Sequence, residues 1–192
     1  MMAAFSPDGK RVALYSDRSG ALAVWIVDAA IPERAGMVPQ FMPVARFAPS
    51  WSPDGARLVV HGEGTDGPGL YEIDTASLRA QRLRLPAGRE YRFGLFAGDR
   101  LYAGWVGGRE GELGAHESRD GAWVEVARRS DVAAAQYDPR RERLLFTKVG
   151  RAGLFAMDPM LAGETQLLEH VPSPRFYRRW WLANDDRIWI AD

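Results

Sequence analysis

A β-propeller, an all-β fold of repeated four-stranded antiparallel blades, is what this sequence predicts, and three observations predict it. An Arg heading an apolar run recurs five times in register. An aromatic residue and a tight-turn motif precede that Arg, and a second apolar strand closing in an acid follows it. Amphipathic periodicity of helix length is scarce along the chain.

The Arg-headed strands are Arg11-Val12-Ala13-Leu14, Arg57-Leu58-Val59-Val60, Arg100-Leu101-Tyr102-Ala103, Arg143-Leu144-Leu145-Phe146 and Arg187-Ile188-Trp189-Ile190. Their arginines step by 46, 43, 43 and 44 residues, the length of one four-stranded blade. Ahead of the first two stand Phe5-Ser6-Pro7-Asp8-Gly9 and Trp51-Ser52-Pro53-Asp54-Gly55. Pro presets φ for the turn, Asp accepts a backbone N–H, and Gly takes the positive φ that closes the hairpin. Phe96-Ala97-Gly98-Asp99 is a shortened version; Tyr137-Asp138-Pro139 and Trp181-Leu182-Ala183-Asn184-Asp185 are looser ones. The following strand closes 17 residues after the Arg at Asp28, Asp74 and Glu117, and 15 after it at Asp158. Gly-rich polar links (16–20, 62–67 and 107–111) separate the two strands. Arg82-Leu83-Arg84-Leu85 and Gln166-Leu167-Leu168 are read as final strands, stopped by Pro86 and Pro172.

These motifs resemble the TolB-type propeller repeat, a relative of the WD repeat: aromatic-Ser-Pro-Asp-Gly, a basic residue and an apolar strand, Ser-Asp-Arg-x-Gly, then an apolar strand ending in Asp. Residues 5–28 match nearly throughout and 49–74 match well; 135–158 keep the strands, and 93–121 keep mainly the spacing. The division that follows is blades at about 1–46, 47–90, 91–132 and 133–176, with 177–192 as part of a fifth, in one incomplete ring; a small ring closed by 180–192 pairing near the N-terminus is the alternative. The resemblance implies six or seven blades for a whole ring. An open run of blades is expected to expose a sheet edge and an uncovered apolar face, and so to self-associate.

Composition excludes several classes of chemistry. Lys plus Arg equals Asp plus Glu at 25 each, for a formal net charge of zero, which argues against direct nucleic-acid binding by this segment. The absence of cysteine removes thiol chemistry and disulfides. No run approaches a membrane span, and the first residues do not read as a signal peptide. His61, His116 and His170 fall on three different repeats without metal-ligand spacing, and no Gly-x-Ser-x-Gly or phosphate-binding Gly loop is present. No catalytic residue, cofactor or metal is therefore expected. The Arg-aromatic segment Pro172-Ser173-Pro174-Arg175-Phe176-Tyr177-Arg178-Arg179-Trp180-Trp181 is read as an inter-blade connection running into an inner strand. Ser118-Arg119-Asp120-Gly121-Ala122-Trp123 is read as a hairpin turn.

The expected function is that of an interaction module with a protein partner or a small ligand, and the candidates sit where second and third strands join: Asp17, Arg18, Asp66, Arg109, Glu110 and Arg151. The TolB-type resemblance implies a periplasmic setting, including the sensor half of membrane-anchored winged-helix transcriptional regulators of bacteria. A propeller gating a prolyl-oligopeptidase-like serine hydrolase, its catalytic domain outside this chain, is the alternative.

Overall fold

The computed structural model describes residues 2–44, 47–107, 110–171, 180–182 and 187–190. Its regular elements are all strands, and they form four blades and one hairpin. The first blade is β1 (Ala3–Phe5), β2 (Arg11–Ser16), β3 (Ala23–Asp28) and β4 (Ala35–Met37). The second is β5 (Met42–Pro43), β6 (Ser50–Trp51), β7 (Arg57–Gly64), β8 (Gly67–Asp74) and β9 (Ala80–Arg82). Its inner strand is split in two: β5 and β6 both pair β7, either side of a segment that ends at Pro49. The third blade is β10 (Phe93–Ala97), β11 (Arg100–Gly107), β12 (Glu110–Arg119) and β13 (Ala122–Ser130). The fourth is β14 (Val132–Asp138), β15 (Arg143–Lys148), β16 (Arg151–Met157) and β17 (Thr165–Leu168). The hairpin β18 (Trp180–Leu182) and β19 (Ile188–Ile190) follows. Every ladder is antiparallel in chain order, the arrangement that short hairpins impose.

The repeated Arg heads β2, β7, β11 and β15, and in three blades it stands directly across the ladder from the closing acid: Arg11 from Asp28, Arg57 from Asp74, Arg100 from Glu117. Arg100 and Glu117 make an ion pair of 2.9 Å. Asp28 and Asp74 instead fold the next turn, each Oδ1 accepting two backbone N–H groups just downstream. Asp158 does the same for Met160 and Ala162. The acid at the strand end is thus an Asx-type turn starter.

The Ser-Pro-Asp-Gly turns repeat one geometry. Ser52 is fully buried; its hydroxyl donates to Asp54 at 2.5 Å and accepts the Arg57 N–H at 2.9 Å, while Gly55 takes φ 70°. Ser6, Asp8, Arg11 and Gly9 reproduce this in the first blade. In the fourth blade Asp138 occupies the serine position, fully buried, and accepts from Arg143 Nε at 3.1 Å. Ser52→Ala leaves the Arg57 N–H short of its side-chain acceptor, so a loss of about 1–2 kcal/mol is expected. Urea melts of variant and parent check it.

Two sequence expectations shift. Gly62, Gly64, Gly107 and Gly111, read as links, are strand residues; the β7–β8 hairpin is only Thr65-Asp66. A Cβ on Gly64 would lie 2.7 Å from the Tyr71 ring, and one on Gly62 2.4 Å from the Phe41 ring. Glycine is there for close packing rather than for turning. The final strand of the second blade ends at Arg82, earlier than Leu85. The Asp120-Gly121 turn has positive φ at both residues, as a two-residue hairpin requires.

Blades pack face to face through apolar clusters. Ala13, Tyr15, Val24 and Ile26 of the first meet Trp51, Leu58, Tyr71 and Ile73 of the second. Val59 and Leu70 meet Phe96 and Leu101, and Leu113 and Ala115 meet Leu144, Phe146 and Phe155. Polar links cross the junctions as well: Trp51 Nε1 donates to the Ala4 carbonyl, and Tyr102 to that of Pro159.

Candidate functional site

Among the described residues, the side chains able to carry chemistry include three half-buried ion clusters and an open polar groove. In the third blade, Glu125 accepts from Arg89 and Arg128, both at 2.5 Å. The fully buried His116 lies behind it, Nε2 3.8 Å from Glu125 and Nδ1 3.3 Å from the Leu101 carbonyl. Burial pushes the His116 imidazolium below its ordinary range, so the ring is held neutral. Tyr91 stacks edge-on against it at 5.8 Å.

At the junction of the third and fourth blades, Glu164 takes Arg129, Lys148 at 2.7 Å and Arg151 at 3.9 Å. The Lys148 ammonium foremost keeps its carboxyl below the usual range. Asp138 with Arg143 and Arg141 is the third cluster. In each cluster one carboxylate gathers two or three cations and so joins strands or blades. Among the described residues no group of three or more His, Asp or Glu could hold a metal ion.

The groove, about 460 Å³, runs along the second blade. Pro39 and Gln40 from the connection between the first two blades form one wall; Ser77, Arg79 and Gln81 around β9 form the other. Thr65 and Asp66 close one end, and Tyr71 is the floor. That floor is rigid: the Tyr71 hydroxyl donates to the Gly67 carbonyl at 2.6 Å, and Phe41 packs on the ring at 5.0 Å. The Ser77 hydroxyl donates to Asp74, and the lining has no histidine to activate it. Among the described residues neither the Arg79 guanidinium nor the Asp66 carboxylate has an ion pair or side-chain hydrogen bond. The groove therefore offers one cation, one anion and two amides to an incoming polar chain.

Of the residues nominated from the sequence, the five described ones lie at hairpins joining second to third strands, but they differ in availability. Asp66 lines the groove. Arg18 lies over Trp25 at 3.5 Å, and Asp17 closes its own turn, its carbonyl accepting from Gly20. Arg151 stacks on Phe155 at 5.0 Å and faces Glu164. Glu110 is the exposed first residue of β12. Arg109 lies outside the described residues, as do residues 172–179 of the Arg-aromatic segment; Trp180 and Trp181 belong to β18. Gln40 and Arg79 escaped the sequence reading because no repeat position marks them.

No protein-family model matches the sequence, and no curated protein matches it either. Solved structures do. TolB from Acinetobacter baumannii superposes with a TM-score of 0.69 at 16% identity, over 90% of this chain and 44% of that one. A putative TolB from Agrobacterium tumefaciens gives 0.66 at 12%, over 88% and 62%. The Pyrococcus horikoshii acylaminoacyl peptidase gives 0.57 at 19%, over 86% and 31%. This chain thus spans less than two thirds of each of these three, and at such identities what is shared is the fold: the chain has the fold of a TolB-type β-propeller.

Proposed function

We propose that the chain is a non-catalytic interaction propeller that holds a protein partner in the groove over Tyr71. The observation that carries this reading is the contrast in pairing. The charges of the three ion clusters are spent on joining strands and blades, whereas Arg79 and Asp66 stand unpaired in one concavity. Specific interfaces use such groups for register and orientation. The likeness to TolB structures supports the reading as a non-catalytic propeller. We propose with it a periplasmic setting and a place as the sensor part of a larger bacterial protein such as a winged-helix regulator. The likeness to an acylaminoacyl peptidase favours a second reading, a propeller gating a serine hydrolase. A Gly-x-Ser-x-Gly domain in the flanking reading frame would select the second; a winged helix and a single span upstream would select the regulator.

The direct test reverses both charges. Immobilised chain is expected to retain a protein from a periplasmic extract of its own organism. The Arg79→Glu/Asp66→Lys variant, equally folded by circular dichroism, is expected to retain about ten-fold less of it. Equal retention by both sinks the groove as the contact.

A further inference from the structure

We infer that the groove of the second blade takes its partner as one extended segment, added as a strand beside β9, with a basic residue toward Asp66 and, about six residues further on, an acidic one toward Arg79. This rests on the proposed use of the groove and names what enters it. The strand beneath sets the groove's length. Asp66 stands just before β8 begins, and Arg79 stands across from its end, the Arg79 carbonyl accepting the Asp74 N–H. The eight residues of β8 hold the two Cα atoms roughly 23 Å apart. A volume of about 460 Å³ over that length leaves an average section of roughly 20 Å². An α-helix, about 10 Å across, is far wider than that. The trough seats a single extended chain.

β9 supplies the main-chain half of the contact. It ends the strand order of its blade, so among the described residues one of its edges has no strand partner. The Arg79 carbonyl bonds the Asp74 N–H of β8, and the Leu83 N–H bonds the Leu70 carbonyl. The alternation of an antiparallel ladder therefore turns the N–H and C=O groups of Ala80 and Arg82 away from β8. Ala80 also lines the groove. An edge of this kind is a template for an added strand, whose main chain finds donors and acceptors already in line.

The direction of β9 sets the polarity of the segment. Ala80 stands opposite Ile73 and Arg82 opposite Tyr71, so β9 runs from the Arg79 end toward the Asp66 end. Every ladder of the chain is antiparallel, and a segment added in the same way runs from Asp66 toward Arg79. Its basic residue is then N-terminal to its acidic one. Six steps of extended chain span about 20 Å, and an even number keeps both side chains on one face. Arg82 Nη1 donates to the Asp66 carbonyl, but Arg82 lies outside the lining, and the exposed Glu63 of the same hairpin offsets its charge.

Amide NMR of the chain with two peptides tests it. Both are Thr-rich nonapeptides, acetylated and amidated so that their ends carry no charge. One has Lys second and Glu eighth; the other has the two exchanged. The first is expected to shift the Ala80 and Arg82 amides and slow their hydrogen exchange, with a Kd of about 1 mM or below. The second is expected to bind at least ten-fold more weakly, and Arg79→Glu/Asp66→Lys to invert the preference. Three results overturn the inference: both amides unprotected at about 5 mM of the first peptide, equal binding of the two, or a preference that the double variant leaves unmoved. If the variant nonetheless loses the periplasmic protein, the groove holds its partner in another form, and only the extended segment falls. If retention of that protein is unaffected, the groove falls as the contact too.

Discussion

Arg11→Ala is expected to destabilise the chain by about 3 kcal/mol, although Arg11 is neither in the apolar core nor in the groove. Its guanidinium leaves its own blade and grips the next. Nη2 donates to the Gly55 carbonyl at 2.7 Å, Nη1 to the Thr75 hydroxyl at 2.9 Å, and the plane lies 5.0 Å from the Trp51 ring. Thr75 is itself buried and donates to the same Gly55 carbonyl, so one side chain ties the serine turn and the acid turn of the second blade to the first. Removing it costs two charge-assisted hydrogen bonds and a cation–π contact, less whatever water restores. Lys at this position keeps the charge but cannot donate in two directions while stacking, so Arg11→Lys is expected to lose about half as much. Urea titration followed by tryptophan fluorescence measures both. A loss below about 1 kcal/mol for the alanine variant would show the bridge to be replaceable by solvent.

This role of the repeated Arg shows where the sequence stopped being legible. The spacing exposed the Arg strands because in three blades the Arg faces its acid across a hairpin, and a fixed register writes itself as a fixed interval. The serine turn was legible for the same reason: every contact lies within five residues. What Arg11 does with its far end was not, since Gly55 and Thr75 are 44 and 64 residues away. β4 and β13 were missed because outer strands pair on one edge only and need no motif. β5 was missed because it contributes only two residues, with β6 contributing two more to the same inner edge. Of the groove, only Asp66 was nominated. Gln40 and Arg79 come from connections, whose residues answer to their own blade boundary and not to the repeat.

The chain is expected to lose stability as pH falls below about 6.5, before its carboxylates titrate, and His116 is the reason. The ring is fully buried, one nitrogen faces the Leu101 carbonyl, and the other has no hydrogen-bond partner. Burial holds its folded pKa below the ordinary 6.5. Glu125, 3.8 Å away, favours the charged ring, but Arg89 and Arg128 already hold that carboxylate, and the Arg89 charge opposes a second cation. The unfolded chain therefore binds a proton that the folded chain resists. The stabilisation is complete above the unfolded pKa and is lost as pH falls from there toward the folded value. Its slope approaches one proton, about 1.4 kcal/mol per pH unit. The carboxylates held low, Asp8, Asp54, Asp74, Glu117 and Glu164, also lose stability on acidification, but they act below their ordinary values near 4. The interval between about pH 6.5 and 5 thus lies above the carboxylates, and comparison with His116→Phe separates His116 from the other two histidines. Urea midpoints at steps through that interval should fall for the parent and stay level for His116→Phe, which fills the same space beside Tyr91 without a titrating group. An unchanged slope in that variant would move the proton uptake to another group.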